Sequence, residues 1–227
     1  MEKELLLIWK DKKERRRFII GHLSFNNDEY TFKYVDPEIS DAKKYGFDYF
    51  PGFENLNVEY KSKTLFANIA TRLPNKLRPD YLNIMNSYNL DMTSSEMDIL
   101  TVTKGRLITD DYEFVTPFNK NKIEFDLAGT NYCQDIDKCK EDLKTGNNLF
   151  LELESNNPKD KYAIKVIYRN NNCKYHLGYV PRYYSKELTE LLKSNVNYSA
   201  QIKKINFETR LNDEDITAYV KFIFDNN

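Results

Sequence analysis

The sequence predicts an α+β protein in two parts: an N-terminal meander sheet with about three helices, then a small β-barrel with one or two helices. Three observations predict it. Short runs rich in Ile, Leu, Phe, Tyr and Val, separated by polar turns, dominate both ends of the chain. Three segments between residues 62 and 102 switch to helical spacing. The 227 residues include 17 Tyr and 14 Phe against 7 Gly and 7 Pro, a balance suited to strands and not to disorder. That length holds one large or two small domains, and the expected division is 1–120 and 121–227.

The elements follow in order. "ELLLIWK", "RFIIGHLSF" and "EYTFKYV" are the strands of the meander, separated by "KDKKERRR" and "NND". "SKTLFANIATRL" (62–73) places Leu65, Ile69 and Leu73 at helical spacing, with Ser62 in N-cap position. "RPDYLNIMNSYNL" (78–90) puts Pro79 in a first helical turn, where its missing N–H costs nothing. "TSSEMDILTV" carries Thr93 and Glu96 in capping-box register before a third helix. The polar segment 104–120 is the expected linker. The second part alternates apolar and polar residues over 122–129, 147–155 and 162–170, then continues with "KYHLGYV", "SAQIKKINF" and "ITAYVKFIFD". "SKELTELLKS" (185–194) lines up Leu188, Leu191 and Leu192 behind Ser185 as N-cap. About six short strands and a helix read as a small barrel with a helix packed on it.

Composition removes several classes. Cys133, Cys139 and Cys173 cannot pair completely and form no Cys-x-x-Cys, and the only histidines are His22 and His176. A disulfide framework and a zinc site are both poorly supported, which fits a reducing cytosol. No run approaches the roughly 18 apolar residues of a membrane helix, and Leu5–Trp9 is too short for a signal-peptide core. The expected location is cytoplasmic, with no membrane partner. No nucleophile elbow, two-metal acid set or His-partnered cysteine is visible, so no catalytic residue, metal or cofactor is expected.

Charge is unevenly spread although the chain is net −1. Residues 124–154 hold 3 basic and 8 acidic residues; residues 156–204 hold 10 basic and 3 acidic. The basic half is interleaved with Tyr162, Tyr168, Tyr175, Tyr179, Tyr183, Tyr184 and Tyr198. Cations that follow phosphates and rings that stack on bases make a single-strand site, each stack worth about 1–3 kcal/mol. A solvated barrel face with tyrosines at the core edge has the same composition. The six basic residues of "KDKKERRR" (10–17) read first as a soluble hairpin tip and second as a phosphate-contacting loop. "NNPKDKYAIKV" (156–166) sets Asp160 among three lysines, in a stretch with type I turn chemistry of its own.

The ordered set "LAGTNY" (127–132), "LFLELESNNPKDKYAIKV" (149–166) and "LGYVPRYYSKEL" (177–188) resembles the HIRAN domain over about residues 123–207. The resemblance implies an OB-like small barrel that binds single-stranded DNA, in its best-understood members at 3′-hydroxyl ends. By that resemblance Tyr132 lines the DNA groove, Asp160 accepts from the terminal 3′ hydroxyl, and Lys161 occupies an often cationic position. Two positions depart from the end-binding pattern: Lys159 stands where an aromatic often precedes the acid, and Asn131 where an arginine precedes the tyrosine. The candidate DNA-binding set is Asn131, Tyr132, Lys159, Asp160, Lys161, Tyr162, Arg182 and Tyr183.

The first third, with "GHLSF…YTFKY", "FPGF" and "YKSKTLFANIATRLP", resembles the small N-terminal subdomain of HipA-type kinases, without the kinase core. It implies a partner or positioning module, such as one contacting a kinase or a DNA-processing enzyme through residues 1–120. The implied settings are bacterial: DNA repair, phage defence or a toxin–antitoxin pair. The alternative function is accordingly a protein-interaction module, such as an antitoxin-like regulator of a separate kinase.

Overall fold

The computed structural model describes residues 2–207 and 217–225. It divides into two units, residues 1–117 and 118–227.

In the first unit, strands β1 (Lys3–Lys10), β2 (Arg17–Asn26) and β3 (Glu29–Tyr34) form the antiparallel meander. Helix α1 (Glu38–Lys44) follows, and the short strand β4 (Tyr60–Ser62) pairs with β3. Three helices come next: α2 (Ala67–Ala70), α3 (Tyr81–Ser87) and α4 (Glu96–Thr103). Strand β5 (Tyr112–Val115) then returns beside β1, completing the order β4-β3-β2-β1-β5. Leu5, Leu7, Ile20, Leu23, Phe32 and Phe114 meet Ile39, Ile69 and Leu100 in one core.

Three expectations are corrected here. Ser62 ends β4 and caps nothing; the helix after it covers only Ala67–Ala70. The capping box of α4 is built by Ser95 and Asp98, not by Thr93 and Glu96, because Ser95 Oγ accepts from the Asp98 N–H and Asp98 accepts from the Ser95 N–H. The segment taken as a linker contains β5, whose Glu113, Phe114 and Val115 are buried.

The second unit holds two three-stranded antiparallel sheets. One is β10 (Tyr198–Asn206), β11 (Thr217–Phe224) and β6 (Lys122–Asp126). The other is β7 (Leu149–Leu153), β8 (Ile164–Asn170) and β9 (Cys173–Tyr179). Ile216, where the sequence begins the last strand, lies outside the described residues. Between the sheets come a 3-10 turn at Thr130–Tyr132, helix α5 (Asp135–Cys139) and helix α6 (Arg182–Lys193). Alternation drives the first sheet: Ala218, Val220, Phe222 and Phe224 turn inward along β11, with Phe222 stacked on Phe125 at 5.4 Å. Helix α6 buries Tyr183, Tyr184, Leu188 and Thr189.

The expectation is a small OB-like barrel; among the described residues no closed barrel is formed. The two sheets meet at two corners through single bridges, Ala128 with Tyr179 and Asn148 with Gln201. A left-handed Gly129, at φ 69°, turns the chain out of β6 before a longer ladder with β9 can form. Among the described residues no helix is long and apolar enough to cross a membrane.

Candidate nucleic-acid interface

The loop joining β7 to β8 is built by one side chain. Asn157 Oδ1 accepts from the backbone N–H groups of Lys159 (2.9 Å) and Asp160 (3.1 Å), an Asx turn whose φ is set between them by Pro158. Asn157 Nδ2 donates to Glu154 Oε2 at 2.7 Å, and the Glu154 N–H closes the loop onto the Ala163 carbonyl. The turn leaves Lys159 exposed and Asp160 half-buried.

Both oxygens of Asp160 are held. Oδ1 accepts from the Tyr162 N–H at 2.9 Å, and Oδ2 accepts from the Ser185 hydroxyl at 2.8 Å. The expected role of Ser185 as N-cap is therefore corrected. Helix α6 begins four residues earlier, with Pro181 in the cap position, where its φ of −57° suits a helix start. Ser185 thus lies within the first turn, 1% exposed, and its hydroxyl reaches across to the β7–β8 loop. The Arg182 carbonyl lies 3.0 Å from the same hydroxyl, which has one proton; the nearer, charged carboxylate is the better acceptor. Thr189 in the next turn donates to the Tyr162 carbonyl, so α6 fixes both sides of the loop.

Tyr132 arrives from the other direction. The Ala128–Tyr179 bridge pins the chain to β9, and this needs Gly178, where a Cβ would stand 3.0 Å from the Ala128 carbonyl oxygen. The 3-10 turn then presents Tyr132 with 71% of its surface exposed while its neighbour Cys133 is buried. The Lys159 ammonium lies over the Tyr132 ring, 5.4 Å from its centroid. An exposed ring thus carries a cation on its face, and that cation's lysine precedes the oriented carboxylate of Asp160 in the same turn.

Glu154 is the hub beneath them. It accepts from Asn157 and from the Tyr179 hydroxyl (3.1 Å) and pairs with Lys165. Burial would raise its carboxyl, but the bonds from Asn157, Lys165 and Tyr179 outweigh burial and hold it below the usual carboxylate range. Tyr179 is pushed up to about 12 by burial, and its bond to Glu154 adds to the effect. His176 packs its ring edge-on to Tyr179 at 4.7 Å, and burial, then Lys165, lowers its basicity. Its Nε2 faces the Gly178 carbonyl at 3.0 Å and is therefore assigned the proton; Nδ1 lies 3.7 Å from Cys133 Sγ. The sequence expects no histidine partner for Cys133, and the β9 edge supplies one from 43 residues away. Among the described residues no group of three His, Cys, Asp or Glu side chains is placed to hold a metal ion.

Lys161 lies over the Tyr162 ring at 4.9 Å. Asn131 and Arg182 are exposed, at the 3-10 turn and at the start of α6. Tyr183 is corrected: it is 7% exposed and packs edge-on to Tyr184 at 4.6 Å, so its ring belongs to the core. Glu154, Tyr179 and Ser185 support the loop in roles that sequence reasoning does not assign, and Asn157 does so as the expected turn residue. Only Asn157 carries a local signal, its place before proline in a turn.

Comparison with known proteins locates the likeness in this unit. Residues 120–217 match the family model of the HIRAN domain. A Fanconi-associated nuclease 1 homolog from rice (Oryza sativa subsp. japonica) is 30% identical over 102 residues, 45% of this chain and 9% of that protein. The chain thus spans about a tenth of the length of that relative. Among solved structures, the HIRAN domain of human HLTF aligns at 17% identity with a TM-score of 0.35, over 46% of this chain and 75% of that one. A protein from Lactobacillus plantarum aligns at 20% identity with a TM-score of 0.33, over 45% of this chain and 92% of that one.

Proposed function

We propose that the second unit is a DNA-binding module that holds single-stranded DNA, with its 3′-hydroxyl end at Tyr132, Lys159 and Asp160. The observation that carries this reading is the Lys159 ammonium over the exposed Tyr132 ring, one residue before the held carboxylate of Asp160. A terminal base stacks on Tyr132, and the Lys159 ammonium meets the phosphate behind it. Asp160 keeps lone pairs beyond those used by Tyr162 and Ser185, and they accept from the terminal hydroxyl. An internal linkage or a 3′-phosphate offers that carboxylate another anion, so Asp160 selects ends by exclusion. The family match over 120–217 supports the same reading.

The test compares 3′-hydroxyl, 3′-phosphate and internally presented single strands by fluorescence anisotropy across a salt series. The 3′-hydroxyl strand binds tightest, and Tyr132→Ala abolishes that binding. Equal affinity for 3′-hydroxyl and 3′-phosphate ends removes end capture; loss of all binding at low salt removes the reading.

A second reading applies to the first unit, as a protein-partner module. It rests on the exposure of Leu77 (90%), Leu82 (57%) and Met92 (67%) within one short segment around α3. A kinase or a DNA-processing enzyme is the partner class in view. Co-purification from the native host, lost in a Leu77→Ser/Leu82→Ser variant, tests it.

A further inference from the structure

One face of β7–β8–β9 repeats the pairing of ring and cation at its exposed edge, beside the buried Ile167. Register places Phe150 opposite Ile167, Glu152 opposite Lys165, and Lys165 opposite Tyr179, so these residues share one face. Phe150, on the edge strand, is 37% exposed, and the Arg169 guanidinium lies over its ring at 4.4 Å. Glu152 is held by Arg169 at 3.6 Å and by Lys174, so one acid stands against two cations. Glu154 is likewise held by Lys165. The carboxylates of this face are thus compensated, and a net positive charge remains beside an aromatic surface.

The face also runs into the site already described. Tyr179 bonds Glu154, Glu154 bonds Asn157, and Asn157 shapes the turn of Lys159 and Asp160. Two strand spacings and two residues along the strand put Phe150 on the order of 12 Å from Tyr179, a span of a few nucleotides.

We propose that Arg169, seated on Phe150, is a second nucleotide subsite, so that one single strand runs from Tyr132 across β9 and β8 to β7. A base stacks on the guanidinium plane, which Phe150 supports from below, while the free edge of the guanidinium meets a phosphate. Phe150 is the positioning residue and Arg169 the contact. The proposal rests on the single-strand reading given above.

The test uses the full chain and competes an unlabelled trinucleotide and a dodecanucleotide, both with 3′ hydroxyls, against a labelled strand. The dodecanucleotide binds tighter to the wild type. Arg169→Gln and Phe150→Leu weaken the dodecanucleotide by a factor of about five or more, as one lost stack predicts, and leave the trinucleotide unchanged. Arg169→Gln also lowers the salt slope by about 0.7 for one phosphate on a single strand. Phe150→Tyr, which keeps the ring, retains wild-type binding and controls for damage to the edge strand. If both variants bind the dodecanucleotide like the wild type while Tyr132→Ala abolishes binding, the second subsite is wrong and the first stands. If Tyr132→Ala changes nothing, or the wild type binds neither strand, the single-strand reading falls and takes this inference with it.

Discussion

The Ser185 hydroxyl donates to Asp160 Oδ2 at 2.8 Å, joining the first turn of α6 to the β7–β8 loop. Ser185 is buried, so its hydroxyl is fixed by its surroundings, and Asp160 inherits that fixity. Ser185→Ala removes one of the two bonds that orient the carboxylate. The expected cost is about 1–2 kcal/mol of stability, the range for a hydrogen bond to a charged but half-exposed acceptor. The preference for 3′-hydroxyl over 3′-phosphate ends falls several-fold with it, while the salt slope stays unchanged because no cation is lost. Urea unfolding and anisotropy on the same preparation measure both effects.

Asp160→Asn separates charge from shape. The amide oxygen still accepts from the Tyr162 N–H, and the Ser185 hydroxyl can turn to the Arg182 carbonyl, so the loop keeps its form. What disappears is the negative charge facing the ligand. Strands ending in a 3′-phosphate then bind tighter than to the wild type, and the discrimination between ends closes. A variant that weakens all strands equally would assign Asp160 to the loop alone.

Much of this architecture is legible in the sequence because it is written locally. Alternation along β11 and β8 and the Asn-Pro signal at 157–158 need only neighbouring residues. What escapes is set across the fold. Strand β5 lies in a polar segment, and only pairing with β1 makes it a strand. Ser185 sits where an N-cap is expected, yet Pro181 starts the helix earlier and gives the serine to Asp160, 25 residues away in sequence. Tyr183 looks like its neighbours in a tyrosine-rich stretch, and only the packing of α6 shows that its ring is buried. The pairing of Lys159 with Tyr132 joins a departure from the end-binding pattern to a residue that matches it, 27 positions apart, and no spacing rule connects the two.

Acid acts on the other unit through Glu113. Burial would push the Glu113 carboxyl up, but the charges of Arg106, Arg17 and Lys104 outweigh burial and hold it down at about 2. Arg106 donates to it through Nε at 2.9 Å and through Nη2, and Arg17 lies 3.4 Å away. A carboxyl depressed in the folded state contributes stability that is fully present above its ordinary value of 4.5 and is lost as pH falls through the folded value. Stability of the first unit therefore drops between about pH 4.5 and 2. Glu113→Gln is less stable at neutral pH, because Arg17 and Arg106 lose their counter-charge, and its acid profile is flatter over the same window. Thermal unfolding as a function of pH reads both.

Lys159 tests how charge and stacking combine at the proposed site. Its ammonium lies over one face of the Tyr132 ring, so a base stacking on that face shares or displaces it. Displacement is compensated if the cation moves to a phosphate, which ties stacking and charge neutralisation to one residue. Lys159→Met keeps the length of the side chain and removes the charge. It lowers the salt slope by about 0.7, as loss of one single-strand phosphate contact requires, and weakens binding most at low salt. Lys159→Tyr exchanges the cation for a second ring. It also lowers the salt slope, but strengthens binding at high salt by up to the value of one stack, about 1–3 kcal/mol. If the two variants behave alike, the position contributes charge and no stacking surface. If neither alters the slope, Lys159 rests on Tyr132 without meeting the ligand.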